Sequence, residues 1–351
     1  MSTQEAAFAL NYDPAQSSVS GNNRTLVKGM TGSDHSTRTL LSSQKEPDLL
    51  LISRGSTENV DLDALEESSG ISQIRAFNVN NLTEPYEYQS SGLRIGWGLR
   101  NSVGVAEHPV TGGIFSVENS MDEIKRDGKD IHQDNPGEEM NFHGYLNGTE
   151  YAAQGSNYGY PNCLAAWGVD DIPNHGNLKV GSQFAVNATV NDTYCGEQTP
   201  PRLTFQAHMA PIDLKFNNSG TEGWVTFRGS WDRSDPVGYK LSLIPFVNGE
   251  PVAQPDNSTS TLDIFKNMDN GKCPDNCFRP VGLAFDRQGR LFMSSDASGE
   301  IYVISREGNG GVSSGTPAGA GGPGGGKTSG SGKVMSNVGL ALLAVLGCFA
   351  I

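Results

Sequence analysis

The sequence predicts an all-β fold of repeated hairpins arranged as a β-propeller, and three observations carry that expectation. No long stretch between residues 20 and 306 holds a helical apolar period; short alternating runs recur instead between clusters of Gly, Asn, Asp and Pro. The chain has 44 glycines, and most of those outside the run Gly308 to Lys333 punctuate these short apolar runs, as turns do. Finally, a whole hairpin preceded by a polar or basic residue repeats along the chain. A single β-sandwich gives no reason for an entire hairpin to repeat behind the same polar residue.

Four units can be laid over one another. The first runs from His35-Ser-Thr-Arg-Thr-Leu-Leu to Asp48-Leu-Leu-Leu-Ile-Ser-Arg-Gly, the second from Leu99-Arg-Asn-Ser-Val-Gly-Val-Ala to Gly113-Ile-Phe-Ser-Val-Glu-Asn. The third joins His208-Met-Ala-Pro-Ile-Asp-Leu-Lys-Phe to Gly223-Trp-Val-Thr-Phe-Arg-Gly, and the fourth Phe278-Arg-Pro-Val-Gly-Leu-Ala-Phe to Gly289-Arg-Leu-Phe-Met-Ser-Ser-Asp. The long gap between the second and third units reads as an inserted loop region over residues 122–200. Sheets repeated radially bring equivalent positions to one central channel. Arg38, Arg100, His208 and Arg279, together with His35, are expected to meet there. Converging cations fit an anionic ligand, or ion pairs between neighbouring blades; spacing leaves both open.

The chain of 351 residues is 36% hydrophobic, enough to bury a core, and carries a net charge of −14. That charge excludes a nucleic-acid partner, which needs a basic face. Outside the apolar tail with Cys348 there are four cysteines, and pairing Cys163 with Cys195 and Cys273 with Cys277 keeps each bridge local. A metal site at Cys273-Pro-Asp-Asn-Cys277 would need a second ligand pair that the sequence does not supply. Seven sequons, at Asn23, Asn81, Asn147, Asn187, Asn191, Asn217 and Asn257, read as a secreted glycoprotein. The first residues show no apolar signal core, so N-terminal material, including part of a blade, is expected to be missing. Domain organisation follows: a propeller over 1–307, a Gly/Ser-rich linker over 308–333 and an apolar tail over 334–351. The tail matches a GPI-anchor signal attached near residues 324–331, with a plain membrane tail anchor as the rival reading.

Five segments taken in order carry a family resemblance. His35-Ser-Thr-Arg, Trp97-Gly-Leu-Arg-Asn, Pro136-Gly-Glu-Glu-Met-Asn, Gly155-Ser-Asn-Tyr-Gly-Tyr-Pro and Arg279-Pro-Val-Gly-Leu-Ala-Phe-Asp resemble the soluble quinoprotein glucose and sorbosone dehydrogenases. The fungal PQQ-dependent pyranose dehydrogenases, often labelled L-sorbosone dehydrogenase-like, are the nearest branch. The resemblance spans roughly residues 20–306 and implies a six-bladed propeller holding pyrroloquinoline quinone (PQQ) and calcium. It implies oxidation of an aldose at C1, with His35 as general base and Arg100 and Arg279 holding the quinone. His208, Arg233 and Arg38 are additional candidate contacts to the cofactor. Glu118, Asn119 and Ser120 align with the segment whose backbone carbonyls ligate calcium in the bacterial enzymes. A monomer passing electrons to a separate acceptor is expected, held at the cell surface by its lipid anchor.

Two other classes compete. A calcium-dependent lactonase-type propeller hydrolase would line the channel with carboxylates and Asn, and a non-catalytic sugar-binding cell-wall propeller would need no base. His132, Asp134, Glu138, Glu139 and His143 lack zinc-enzyme spacing and read as a solvated loop over the channel mouth, His143 being the member placed to touch a ligand. Glu138 and Glu139, adjacent on a strand, would face opposite sides and so cannot flank one glycosidic bond. His108 and His175 read as surface turns; Trp97, Trp167 and Trp224 read as core, and Trp231 stands apart beside Arg233.

Overall fold

Glycine and polar turns cut the apolar runs into short antiparallel meanders, and a computed structural model, describing residues 1–306, assembles these into five successive blades. Blade 1 pairs Ala7–Asp13 with Ser18–Lys28, and Tyr86–Glu87 joins it in parallel at Val27 and Lys28. Blade 2 contains Leu40–Ser42, Leu49–Arg54, Gln73–Asn78 and Leu93–Trp97. Blade 3 contains Ser102–Glu107, Gly113–Glu118, Glu138–Tyr145 and Leu203–Phe205. Blade 4 runs Pro211–Phe216, Glu222–Phe227, Lys240–Val247 and Leu262–Lys266, and blade 5 has Pro280–Phe285, Leu291–Ser295 and Ile301–Ile304. The linker 308–333 and tail 334–351, where the anchor signal is expected, lie outside the described residues.

The core lies between blades. Phe115, Met140 and Phe205 of blade 3 pack on Leu214, Phe227 and Phe246 of blade 4, and Leu241 of blade 4 meets Leu283 and Met293 of blade 5. Val27, Met30, Ile52, Phe77 and Tyr88 join blades 1 and 2. Burial on both faces explains why Gly113–Glu118 is buried throughout and shows no polar alternation. Polar bonds add register: the Asp213 carboxylate accepts from the Leu283 amide at 2.8 Å, and the Thr226 hydroxyl donates to the Val281 carbonyl at 2.6 Å. Blades 3 and 4 approach so closely at Gly104 that a Cβ there would lie 2.6 Å from Val117 Cγ2 and 3.0 Å from the Asp213 Cα.

Both cysteine pairs are bonded, Cys163–Cys195 and Cys273–Cys277. The first staples the hairpin of Cys163–Ala165 and Gln183–Ala185 to the short helix Asp192–Cys195. That insertion is smaller than expected, because Glu138–Tyr145, inside the stretch read as a loop, is a blade strand. Glu138, Glu139 and His143 are accordingly buried rather than solvated, with His143 0% exposed. His108 is buried too, its Nε2 bonded to the Gly220 carbonyl at 2.8 Å against the ring of Phe216. Both corrections have one cause: the polar residues sit in a strand and a turn enclosed by apolar neighbours from adjoining blades.

Candidate active site

Arg100, His208 and Arg279 sit just ahead of the first strands of blades 3, 4 and 5, as the repeat requires. They converge with His35 on a cavity of about 200 Å³ whose wall also holds Asn101, Asn119, Ser120, Asp122, Glu138, Arg228, Trp231 and Asp232. A larger hollow of about 650 Å³ lies against the insertion at Arg126 and Asn187 to Thr193. It contains the Arg126–Asp192 ion pair and is lined by no histidine, so the smaller cavity is the one equipped for chemistry.

His35 is set up as a neutral base. Its Nδ1 lies 2.8 Å from the Ser56 hydroxyl and 3.1 Å from the Ser56 carbonyl. The carbonyl can only accept, and the hydroxyl already donates to the Glu58 carbonyl at 2.8 Å, so Nδ1 carries the proton and Nε2 keeps its lone pair. Burial, and then the charge of Arg100, lower the ring's pKa below the ordinary 6.5. Gly55 makes this placement possible: a Cβ there would stand 2.7 Å from the His35 Cβ and 2.8 Å from Asn101 Oδ1.

The arginines divide by what already engages them. Arg38 sits at the expected place in the repeat, but its guanidinium turns away from the cavity. It donates to the carbonyls of His35 (2.6 Å), Thr37 (2.9 Å) and Met30 (2.6 Å), and so holds the strap that carries the base. Arg100 is 4% exposed and fully bonded: to Asn59, to the Ser120 carbonyl at 2.6 Å, to the Asn119 carbonyl at 3.4 Å, and to Asp122 at 2.9 Å. The Asn119 and Ser120 oxygens are therefore paired with a guanidinium. Glu118 is a buried neighbour that accepts from the Arg100 amide at 2.6 Å, and burial, then Glu139, push its carboxyl well above the usual range. Arg279 donates Nη2 to the Gly229 carbonyl at 2.8 Å and Nε to that of Arg228 at 3.3 Å, leaving Nη1 without a partner among the described residues. Arg228, at the end of the third repeat unit and given no role by the sequence, stands beside it. Arg233 is absent from the cavity wall; it pairs with Asp134 at 3.1 Å. Its neighbours do reach the cavity, Trp231 63% exposed at the rim and Asp232 inside.

The cavity thus has two poles. Arg228, whose Nε already donates to Asp296 at 2.8 Å, and Arg279 form a cationic one. Asp122, Asp232 and Glu138 form an anionic one around His208, whose Nδ1 is 3.2 Å from Asp232 and 3.7 Å from Asp122. Burial pushes Glu138 up to about 7, although it accepts from the amides of Ser120 (2.7 Å) and Ala210 (3.2 Å). Sequence reasoning missed Asp122, Arg228 and Asp232 because each follows the second strand of its blade, whereas only residues ahead of first strands mark the convergence and the calcium segment stops at Ser120.

Fold and site together define a β-propeller with a charged ligand cavity at the entry ends of its first strands. The TrAA12-like family matches residues 1–307, and the chain belongs to that family. It is 49% identical over 319 residues to a pyrroloquinoline quinone-dependent sugar dehydrogenase of Hypocrea jecorina, covering 88% of this chain and 72% of that protein. A pyrroloquinoline quinone-dependent pyranose dehydrogenase of Coprinopsis cinerea is 35% identical over 329 residues, with 87% of this chain covering 44% of it. Among solved structures, the calcium structure of the Trichoderma reesei Family AA12 protein shares 50% identity at TM-score 0.83, covering 86% of this chain and 76% of that one. The holo form of the Coprinopsis cinerea pyranose dehydrogenase PQQ domain gives 33% and 0.79, covering 86% and 77%. The Escherichia coli soluble aldose sugar dehydrogenase, at 14% identity and TM-score 0.51, supports the fold alone.

Proposed function

We propose that this chain is a quinone-dependent sugar dehydrogenase that oxidises an aldose or related pyranose at C1. The observation that carries the reading is the neutral His35, its Nε2 lone pair free and Nδ1 pinned, in the same cavity as the half-free cation Arg279. Bound pyrroloquinoline quinone would supply the hydride acceptor; the rest is done by this chain's side chains. His35 Nε2 takes the proton from the anomeric hydroxyl, a task suited to an imidazole kept neutral at working pH. Arg279 and Arg228 present guanidinium groups where a polycarboxylate would bind, and charge-assisted bonds of this kind contribute about 1.5–3 kcal/mol each. Arg38 and Gly55 hold the strap of the base, and Arg100 holds the 119–122 turn. The exposed Trp231 at the rim gives a sugar ring a face to stack on.

Several finer points belong to the same proposal. Calcium at the carbonyls of 118–120 would share those of Asn119 and Ser120 with Arg100, or displace its guanidinium from them. A six-bladed ring is supported by likeness to longer relatives, which this chain covers to 72% and 44%. The two disulfides and the exposure of Asn23, Asn81, Asn147, Asn187 and Asn191 support a secreted, glycosylated protein, with the lipid anchor and a separate electron acceptor as its further expectations. A lactonase-type hydrolase keeps one supporting observation, the carboxylates and asparagines in the wall, against the relatives' oxidoreductase names.

The test compares two variants of the quinone-loaded protein. His35→Ala should keep quinone binding and lose about 10²–10⁴ in turnover of aldoses with a dye acceptor. Arg279→Ala should weaken quinone binding by about one to two decades. Unchanged turnover in His35→Ala would remove the base from the mechanism.

A further inference from the structure

We propose that Asp122, His208 and Asp232 form a site for one divalent first-row transition cation, of which zinc is the probe. Their ligand atoms all lie within 4.8 Å of one another. The His208 tautomer is fixed by its own hydrogen bond: Nε2 lies 2.5 Å from the His132 carbonyl, which can only accept, so Nε2 carries a proton. The other nitrogen, Nδ1, therefore points at two carboxylates, Asp232 Oδ2 at 3.2 Å and Asp122 Oδ1 at 3.7 Å. Three such atoms facing one another are held together either by a proton on Nδ1, which would make an imidazolium paired with the carboxylates, or by a cation at their centre, and the surroundings of Asp232 favour the cation. A backbone carbonyl behind an imidazole is also the arrangement that orients histidine ligands.

An independent observation comes from Asp232. Its side chain is 4% exposed, yet among the described residues neither carboxylate oxygen makes a hydrogen bond, and His208 Nδ1 stands 3.2 Å from one of them. A buried carboxylate without donors is costly, and a bound cation removes that cost. Asp122 is held in place by Arg100, which grips its other oxygen at 2.9 Å. The backbone on either side of Met209 is also unusual, His208 and Ala210 adopting positive φ of 64° and 53°. The ligand set decides the ion. One imidazole and two carboxylates suit zinc, cobalt or manganese, whereas calcium takes oxygen ligands throughout. The remaining coordination positions open onto the cavity shared with Arg228 and Arg279.

The site is tested without quinone, so the result is independent of the reaction proposed above. Chelator-treated protein is titrated calorimetrically with zinc and with calcium, and cobalt binding is followed by visible absorption. One zinc per chain should bind at least tenfold more tightly than calcium, and cobalt should give ligand-field bands. Asp232→Asn and His208→Gln should each weaken zinc at least tenfold, and the cobalt bands should change in His208→Gln. If His208→Gln fails to fold, Asp232→Asn and the wild-type cobalt spectrum decide alone. Absence of saturable zinc binding, calcium binding as tight as zinc, or unaltered affinity in Asp232→Asn would overturn the proposal; in the first case His208 is simply an imidazolium paired with Asp232.

Discussion

Arg38 and Arg279 occupy equivalent places in their repeats, yet one faces protein and the other the cavity. Arg38→Ala should loosen the strap of His35, lowering both turnover and melting temperature, with quinone affinity changed little; a loss of affinity matching that of Arg279→Ala would place Arg38 in the cofactor site instead. The fully buried His143 makes a separate prediction. Its ring is held neutral by burial, which pushes its pKa down to about 3, and its Nε2 contacts the Ser116 hydroxyl at 2.8 Å. The unfolded chain therefore takes up a proton first. Stability from this group is complete above pH of about 6.5 and is lost as pH falls toward 3, by on the order of 4 kcal/mol. Urea denaturation across that range should show a shallower acid slope for His143→Gln than for wild type; equal slopes would mean that His143 is not a buried neutral ring. The base titrates too: since His35 lies below 6.5, the acid limb of activity should fall below that pH. At this scale the sequence was legible where the repeat sets phase, at Arg100, His208 and Arg279. It was not legible where a guanidinium chooses between carbonyls and solvent, a choice made by loops distant in the chain.

Single elements read well where turns are marked and poorly where a strand is buried on both faces. Gly113–Glu118 and Pro280–Phe285 follow from glycine-bounded apolar runs. Glu138–Tyr145 carries two glutamates, an asparagine and a histidine, so its polarity hid a strand that blade 3 encloses. Gly104 shows what the close packing of elements demands. Its Cβ would press on Val117 and on the Asp213 backbone, so Gly104→Ala must push blades 3 and 4 apart at their first strands. Overpacking of this kind costs about 1–3 kcal/mol, and differential scanning calorimetry should show a lower melting temperature; an unchanged value would mean the blades have slack there. The Cys163–Cys195 bridge closes a 32-residue separation within the insertion, and its loss should cost about 3–4 kcal/mol of that element's stability. Limited proteolysis of Cys195→Ser should cut within the insertion before the blades; a simultaneous loss of both would show that insertion and blades unfold as one.

At the scale of the whole molecule, a chain of net charge −14 gathers Arg228 and Arg279 at one side of a small cavity and three carboxylates at the other. The propeller makes this possible because the first strands of blades 3, 4 and 5 deliver one loop each to the same end. The repeat makes that convergence legible in the sequence, although it marks four units where five blades are described. The central claim, that this cavity holds an anionic quinone through Arg279, is tested most directly by calorimetric titration of pyrroloquinoline quinone into the wild-type chain and Arg279→Ala, with divalent cation present. The account predicts one saturable site per wild-type chain and an affinity about ten- to a hundredfold weaker in the variant. Equal affinity in a folded Arg279→Ala, or no saturable binding by the wild type, would contradict it.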